Sequence, residues 1–359
     1  MFNDICDDKK PPLIDEAYLE AQHESFLDSG TGTTAEEAQQ LPQEVILREE
    51  SLDVSKIVPY IPDTETKAVD YRPQTLSSFV GQDLAKRKLK LAFKRIRAAE
   101  RTHIFLDAIR GHGKSTLARI IAKELSADLI ELTGAMITDL EVLYKIITTI
   151  NTNRKLTVLF IDELDSLKRE YFKFLNPILE EFKIATVPVR PFVFIGASIL
   201  KHELLDKCPD TMDRIDVQIK FVRYTQENIA TILKANQKKL YKDIQIPEDI
   251  YYKIADNCKY NPRVSLAMLK DYVYAQDLQT VLANNRIIKK GLNDLDIKLL
   301  QVLSKQKSVG AGALAQTVGL SMKEYTIEFE PYLVEFGYIA RASRGRMITE
   351  KGVELLNSL

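Results

Sequence analysis

The residues from Ala108 to Ser115 combine glycines, a lysine and a hydroxyl in an order that suits phosphate binding. Gly111 and Gly113 let backbone N–H groups approach a phosphate chain with no Cβ in the way. Lys114 can reach the β- and γ-phosphates, and Ser115 can ligate Mg²⁺. The usual motif begins with one more glycine, which is Ala108 here, so the turn either tolerates a Cβ or is slightly remodelled. The pattern predicts binding of ATP and Mg²⁺.

A carboxylate pair, Asp162 and Glu163, follows some fifty residues downstream at the end of an apolar run. Asp162 would lie near the Mg²⁺, and Glu163 would polarise the attacking water. Taken singly, the two motifs could be an ordinary glycine turn and a capped strand. Their order and spacing favour a site that transfers the terminal phosphoryl group of ATP to water.

Both motifs require a sheet that places strand ends together. The apolar runs at 103–106 and 158–161 are typical of strands buried on both faces, and the carboxyl ends of parallel strands meet at one edge. The sequence therefore predicts an α/β P-loop core, a parallel sheet flanked by helices. Its other predicted strands are 128–132, 192–198 and 217–221, and its other helices are 84–94, 116–125, 139–150 and 171–182.

Three more polar residues are candidates for the same site. Ser198 ends a buried strand and could position water or contact the γ-phosphate. Arg214 precedes the last strand and could reach a neighbouring subunit's γ-phosphate if the protein forms a ring; otherwise it is a surface arginine paired with Asp213 or Asp216. Arg263, at the start of a helix after Pro262, would sense phosphate from a helical lid.

Composition and charge limit the class of protein. The 359 residues, 45% of them hydrophobic, suffice for two or three domains, and no run of eighteen apolar residues predicts a membrane span. The three cysteines lack metal-ligand spacing, so we expect neither disulfides nor zinc, and a cytoplasmic location. Residues 1–66 carry 16 acidic and 4 basic side chains, while the remainder has a net charge of +11. We expect an acidic, largely disordered extension that solubilises the chain, mimics nucleic acid or binds a partner.

The second half of the chain predicts two smaller domains. Helical patterns at 226–240, 248–257 and from 262 onward predict a lid over 224–290, following a core over 67–223. Residues 291–359 show helices at 294–303, 311–318 and 321–335, and then a hairpin at 338–349 with a basic tip. This order is typical of a winged helix, whose wing arginines Arg341, Arg344 and Arg346 would contact DNA phosphates without reading sequence.

These parts together resemble the RuvB family of AAA+ ATPases, from about Arg72 to Leu356. The motifs that carry the resemblance are Arg72-Pro73 through Gly81-Gln82, Gly111 through Ala118, Phe160 through Glu163, Pro262-Arg263, Glu330 through Leu333, and Arg344 through Arg346. The last two are the most discriminating, because many AAA+ proteins share the ATPase motifs and few share this wing. The resemblance implies an AAA+ core, a helical lid and a C-terminal winged helix.

The resemblance also assigns roles to individual residues. It implies an adenine pocket of Tyr71, Arg72, Tyr224 and Pro262. It implies that Gly111, Lys114, Ser115 and Thr116 hold phosphates and Mg²⁺, and that Glu180, Glu181 and Phe182 form a helix end near the nucleotide. Arg214 would be the finger acting on a neighbouring subunit and Arg263 the second sensor, while Arg341 and Arg346 match DNA-contacting wing positions.

The function implied is an ATP-driven DNA motor, a hexameric ring that moves duplex DNA or branch-migrates four-way junctions in the nucleoid. Only eight residues, 183–190, separate Phe182 from Pro191, where the family has a longer hairpin that docks its partner RuvA. This argues against a RuvA-type partner. One alternative is a loader or initiator that uses ATP as a switch to place a replication protein on DNA. Another is a regulatory protein that binds nucleotide without turnover, suggested by Ala108.

Overall fold

The structure, a computed structural model, describes residues 71–359, so the predicted acidic extension 1–66 lies outside the described residues. Its centre is a five-stranded parallel sheet with strand order β2-β3-β6-β1-β7. The five strands are β1 Ile104–Asp107, β2 Asp128–Thr133, β3 Thr157–Asp162, β6 Val193–Ser198 and β7 Val217–Lys220. A separate short hairpin pairs β4 Lys183–Ile184 with β5 Val187–Pro188.

Helices cover both faces of this sheet, which explains why the central strands are apolar along their whole length. Every residue of β6 is buried, as are all of β3 except Asp162 at its end. One face packs on Ile146 and Leu175, and the other on Leu89 and Ile120. The helices are α1 Asp83–Arg97, α2 Lys114–Glu124, α3 Leu140–Thr152, α4 Arg169–Glu181, α5 Lys201–Lys207 and α6 Pro209–Asp213. The predicted α/β P-loop core is confirmed.

His103, buried just before β1, makes stability depend on pH. Its Nδ1 accepts the N–H of Phe194 at 3.1 Å and its Nε2 donates to the Leu179 carbonyl at 2.9 Å, so the neutral ring is fully paired. Burial lowers the pKa of His103 to about 4. The unfolded chain then binds more protons between about pH 6.5 and 4, and we expect the free energy of unfolding to fall by about 2 kcal/mol from pH 7 to pH 5 through this residue.

Urea unfolding of the wild type and of His103→Asn at the two pH values measures this contribution. The variant should lose about 2 kcal/mol of the difference, whereas the exposed His202→Asn should retain all of it. An equal pH dependence in all three proteins would show that His103 is not the titrating group.

The lid follows the sheet and has its own core. Its helices are α7 Gln226–Leu240, α8 Glu248–Asn257, α9 Pro262–Ala275 and α10 Leu278–Asn284. Thr225 and Asn228 form a capping box that fixes the first helix, and Asn261 caps the third. The helices predicted at 226–240 and 248–257 are confirmed.

The C-terminal region contains the predicted helices and wing together with elements that the sequence did not predict. The elements are the hairpin β8 Ile287–Lys289 and β9 Leu292–Asn293, α11 Asp294–Lys305, α12 Ala311–Thr317, α13 Met322–Glu324, a π-helical turn Tyr325–Phe329, α14 Glu330–Glu335, the wing strands β10 Ile339–Ala342 and β11 Gly345–Ile348, and α15 Glu350–Asn357. The helix predicted at 321–335 is confirmed over 322–335, but it contains a π-helical turn at Tyr325–Phe329 that the sequence did not predict. Pro331 has no N–H and crowds the carbonyl of Ile327, which breaks the regular ladder over this turn.

Buried polar and aromatic contacts join the lid to the winged helix. Lys259 Nζ lies 2.6 Å from Oδ2 of Asp296, whose side chain is fully buried. The rings of Tyr260 and Phe336 stack at 5.4 Å. Arg223, between β7 and α7, pairs with Glu335 at 2.7 Å. These contacts fix the winged helix against the lid and against the segment between β7 and α7.

Within the part of the chain that the structure describes, no helix combines the length and apolar character needed to cross a membrane.

Candidate functional site

The turn between β1 and α2 has the geometry of a phosphate cradle. Gly113, the N-cap of α2, has φ +97° and provides no side-chain cap, so N–H groups of the first turn are left for a ligand. Gly111 has φ +80°, and a Cβ there would lie 2.4 Å from Oδ1 of Asn261 in the lid. A glycine is therefore needed at this position both for the turn and for the close approach of the lid.

Ala108 takes the place of the first glycine of the motif without straining the turn. It is buried, and its backbone lies outside the left-handed region, so its Cβ is tolerated. Its carbonyl accepts a hydrogen bond from Lys114 Nζ at 3.0 Å. Burial lowers the pKa of Lys114, while the neighbouring Asp162 opposes that shift. The buried ammonium lies between the turn and the acidic strand end, as the motif requires.

Ser115 and Asp162 form a pair of oxygen ligands suited to Mg²⁺. The two come from α2 and the end of β3, and the Ser115 Oγ lies 3.4 Å from Asp162 Oδ2. The N–H of Glu163 donates to the other carboxylate oxygen, Oδ1, at 2.9 Å. Mg²⁺ in such sites typically takes one or two protein oxygens and completes its shell with phosphate and water. The residues present fit that arrangement.

Glu163 and Ser198 lie beside this pair. Glu163 has φ +50°, and its half-exposed side chain lies 3.9 Å from Nη2 of Arg110. Ser198, buried at the end of β6, donates to Asp165 and accepts the N–H of Leu200 at 2.8 Å. Both side chains reach the edge of the sheet where the phosphate cradle lies.

An open cleft of about 1330 Å³ connects the cradle to the lid. Tyr224 donates its hydroxyl to the His112 carbonyl at 3.1 Å, and Asn261 Nδ2 donates to the Arg110 carbonyl at 2.9 Å. These two hydrogen bonds tie the lid to the turn. The predicted residues that line the cleft are Tyr71, Arg72, Gly111, Gly113, Lys114, Ser115, Thr116, Asp162, Glu163, Ser198, Tyr224, Pro262 and Arg263.

Arg110 and His112 lie at the cleft although the sequence pattern assigns them no role. Arg110 lies between two carboxylates, Glu163 and, at 3.5 Å from Nη1, Glu328 of the winged helix. The His112 side chain is buried, and its ring centroid lies 5.7 Å from that of Tyr224. Burial lowers the pKa of His112 to about 4. Both occupy variable positions of the glycine motif, so the motif assigns them no role. Their position at the cleft is evident only from their long-range contacts.

Glu180, Glu181 and Phe182 do not line the cleft of the same chain, and their predicted proximity to nucleotide stays a prediction. They end α4, which runs back along the sheet, and this end lies against the amino end of β1. His103 and Arg101 both bond to carbonyls there, His103 to that of Leu179 and Arg101 to that of Glu180 at 3.4 Å. The cradle lies at the opposite edge of the sheet.

Arg214 lies at this same amino edge, after α6. Its Nη2 is 2.7 Å from Oε2 of Glu180, so its ion-pair partner is neither Asp213 nor Asp216. Asp216 instead pairs with Arg95 and Arg101. Arg214 precedes the first residue of β7, whereas the cradle follows the last residue of the neighbouring parallel strand β1, so a strand length of roughly 13 Å separates them. The arginine thus lies away from its own nucleotide cleft.

The three wing arginines have different environments. The Arg346 side chain is one-fifth exposed and pairs with buried Glu330 at 2.7 Å, and Arg341, more than half exposed, pairs with the same carboxylate at 3.0 Å. Arg344 lies in the turn between β10 and β11. The wing therefore presents basic side chains around one internal carboxylate.

Two family models match this architecture. Residues 71–198 match the Holliday junction DNA helicase RuvB P-loop domain, and residues 289–357 match the RuvB C-terminal winged helix domain. The chain is 30% identical over 316 residues to the Holliday junction branch migration complex subunit RuvB of Fervidobacterium nodosum, an alignment that covers 79% of this chain and 88% of that protein. The chain belongs to the RuvB family.

Solved structures agree with this assignment. The Thermotoga maritima RuvB Holliday junction branch migration motor has a TM-score of 0.71 and 27% identity, covering 80% of this chain and 98% of the other. The Aeropyrum pernix ORC2 protein, at 14% identity and a TM-score of 0.51, shares the fold alone. The RuvB matches confirm the predicted fold class and the predicted assignment to a RuvB-type, nucleotide-binding ATPase and helicase family.

The hairpin at 183–190 is short, as the RuvB comparison predicted from sequence. It pairs only two residues on each side, with Ala185 at φ +49° in its turn. Ile184 is buried in the core of the domain, while Lys183 and Pro188 are exposed. Its exposed residues offer no apolar surface of appreciable size.

Proposed function

We propose that this chain is an ATP-driven DNA motor of the RuvB type, which hydrolyses ATP and moves duplex DNA, including the arms of a four-way junction. The observation that carries the proposal is the cleft itself. The phosphate cradle, the acidic strand end and the lid arginine converge there, and the winged helix is bonded to the lid that closes it. A change in the core–lid angle would therefore move the wing.

The proposed chemistry is phosphoryl transfer to water. Lys114 binds the β- and γ-phosphates, Glu163 orients and polarises the water, and Ser198 assists at the strand end. Ser115 and Asp162 would hold Mg²⁺, which supplies charge neutralisation between the phosphates. Tyr71, Arg72, Tyr224 and Pro262 enclose the base, and Arg263 senses the phosphates from the lid. Because little covalent chemistry falls to the protein, positioning and charge stabilisation supply most of the rate.

The proposal includes a ring, a hexamer by analogy with the family. Arg214 is held by Glu180 at the edge of the sheet opposite the cradle, so the finger role requires a neighbouring subunit's cleft. Glu180, Glu181 and Phe182 would then face that same neighbouring cleft. We also propose three domains, with limits of 67–223, 224–290 and 291–359. The proposed location is cytoplasmic and nucleoid-associated.

A RuvA-type partner is not part of the proposal. The hairpin that would dock it pairs two residues per strand and exposes Lys183, Ala185, Thr186 and Pro188. We propose that the motor engages junctions through its own wing. The same short hairpin favours a second candidate, a loader that uses ATP as a switch to place a replication protein on DNA.

The bridge from Arg110 to Glu328 predicts how the winged helix affects turnover. Arg110 divides its guanidinium between Glu163 and Glu328, and all three side chains are about half exposed, so each pair is weak and easily exchanged. Glu328→Gln should shift Arg110 toward Glu163 and change the ATPase rate without DNA by roughly 2- to 5-fold, the range that about 1 kcal/mol allows. The rate in the presence of duplex should change less.

Steady-state ATPase assays with and without duplex measure this effect. Glu354→Gln, on the last helix and outside any ion pair in residues 71–359, is the matched control and should behave as the wild type. Equal rates for Glu328→Gln and the control in both conditions would contradict a link between the wing domain and the cleft.

The proposed function itself is tested by ATPase rates of the full chain with no DNA, linear duplex and a synthetic four-way junction. A motor should be stimulated by DNA, and the stimulation should be lost in Arg341→Gln with Arg344→Gln. Nucleotide binding with no turnover under any condition would refute the motor. Stimulation by DNA without displacement of a strand would favour the loader.

A further inference from the structure

One buried carboxylate organises the basic face of the wing. Glu330, at the start of α14, is 1% exposed and accepts three hydrogen bonds from two arginines. Arg346 donates from Nε to Oε1 at 2.7 Å and from Nη2 to Oε2 at 3.2 Å, and Arg341 donates from Nε to Oε1 at 3.0 Å. Burial alone raises the pKa of Glu330, but its bonds to Arg346 and Arg341 outweigh burial and lower it. Glu330 is therefore ionised.

The wing needs this carboxylate because of its register. Arg341 and Arg346 are directly opposite each other in the β10–β11 pair, so their side chains leave the same face. Like charges at directly opposed positions destabilise a hairpin. Glu330 lies beneath that face and bonds to both, which converts a repulsive pair into a fixed triad with a net charge of +1.

The two arginines are not equivalent within the triad. Arg346 commits two donors of its side chain to Glu330, and its backbone exchanges hydrogen bonds with Val309 at 2.7 and 3.0 Å. The neighbouring Gly345, at φ +135°, lets this strand approach, since a Cβ would lie 2.3 Å from the Val309 carbonyl. Arg346 is thus held by both backbone and side chain, with 21% of the side chain exposed.

Arg341 is held less firmly than Arg346. Its side chain is 60% exposed, and only its Nε is committed to Glu330. Within residues 71–359, neither of its two Nη groups has a hydrogen-bond partner. A guanidinium anchored at Nε and free at both Nη atoms is oriented for a bidentate contact with a phosphate.

We propose that Glu330 is a positioning residue for DNA binding, which aims Arg341 at a backbone phosphate and uses Arg346 as the strut of the wing. The inference rests on the proposed DNA-binding function and deepens it. Arg341 contacts the phosphate itself, while Arg346 acts on DNA through the geometry of Glu330 and Arg341.

The direction in which one substitution changes DNA affinity distinguishes a positioning role from a simple effect of charge. Glu330→Gln removes a negative charge from a phosphate-binding surface, so if Glu330 were only a nearby charge the variant should bind DNA more tightly. If Glu330 positions Arg341, the variant should bind several-fold more weakly although the wing has become more positive. Glutamine matches the shape of the carboxylate and keeps one acceptor.

The experiment measures binding of the full chain to a duplex by fluorescence anisotropy over a series of salt concentrations, with a melting curve for each variant. Arg341→Gln should weaken binding and reduce the slope of log K against log salt by about 0.9, the loss of one phosphate contact per site. Glu330→Gln should weaken binding with a similar loss of slope. Arg346→Gln should weaken binding and leave the slope within about 0.3 of the wild type.

Tighter or unchanged binding by a folded Glu330→Gln protein overturns the proposal. Where that variant melts below the assay temperature, Arg346→Gln decides, because it keeps the carboxylate ionised and paired with Arg341. A loss of slope in Arg346→Gln equal to that in Arg341→Gln makes Arg346 a direct contact and refutes its role as a strut. If neither Arg341→Gln nor Arg344→Gln reduces the slope, the wing is not the DNA-binding surface. That result would contradict the proposed function itself.

Discussion

Replacement of Lys114 by alanine is expected to lower the ATPase rate by roughly 10²–10³-fold or more, because no other buried cation among residues 71–359 lies at the phosphate cradle. The Nζ of Lys114 is held by the Ala108 carbonyl beside Asp162 and Glu163, where a γ-phosphate would add negative charge. Loss of the ammonium leaves those charges uncompensated in the transition state. Steady-state ATPase assays over a range of ATP concentrations measure the loss in kcat and in KM.

The matched control is Lys123→Ala on the same helix. Lys123 is exposed in the last turn and faces Gln74 rather than the cleft. The control should keep a rate within about 2-fold of the wild type. A Lys114→Ala protein that is folded by its melting curve and hydrolyses ATP at a rate comparable to the wild type would show that this cleft is not the ATPase site.

Replacement of Arg214 by alanine should lower turnover by roughly 10³-fold or more and leave nucleotide affinity nearly unchanged. Arg214 lies with Glu180 at the amino edge of the sheet, away from its own cleft. It can therefore act on transition-state charge only across a subunit interface. Fluorescence titration with an ATP analogue and the ATPase assay together separate binding from turnover, and the exposed Arg154→Ala is the control.

Mixed rings make this prediction more specific. Lys114→Ala subunits have an intact finger but a damaged cradle, and Arg214→Ala subunits have the reverse. Mixing the two should restore part of the ATPase activity, since some interfaces then join an intact cradle to an intact arginine. No recovery at any mixing ratio would contradict a finger that acts between subunits.

The sequence predicted the parts of the site whose chemistry is local. The glycine turn, the lysine and the carboxylate pair each lie within a few residues, and their strands are apolar runs of ordinary length. Ser198 and Arg263 were found in the same way, from a strand end and a helix start. The structure brings these residues to one cleft because the carboxyl ends of parallel strands share an edge.

What the sequence could not predict depends on contacts between distant residues. Glu180 pairs with Arg214, 34 residues away, only because α4 runs back to the amino edge of the sheet. Likewise, neither the bond of Glu330 to Arg346 nor that of Arg110 to Glu328 follows from any local pattern of charge. Long-range ion pairs are set by how helices, strands and domains pack.

Two local features were not predicted. The helix predicted at 321–335 is present, but it contains a π-helical turn ahead of Pro331 that the sequence did not indicate. The last helix, Glu350–Asn357, was missed, although Thr349 caps it and Leu355 packs into the wing core. Its small apolar content, concentrated on one face, gave a weaker signal than the strands of the sheet.

Whether the chain is an autonomous motor is tested with a synthetic four-way junction with mobile arms, incubated with the full chain and ATP. We expect the chain alone to convert the junction to duplex products at a rate that requires hydrolysis, and Arg214→Ala to abolish the conversion while the junction is still bound. A wild-type protein that binds the junction and hydrolyses ATP but leaves its arms in place would contradict an autonomous motor.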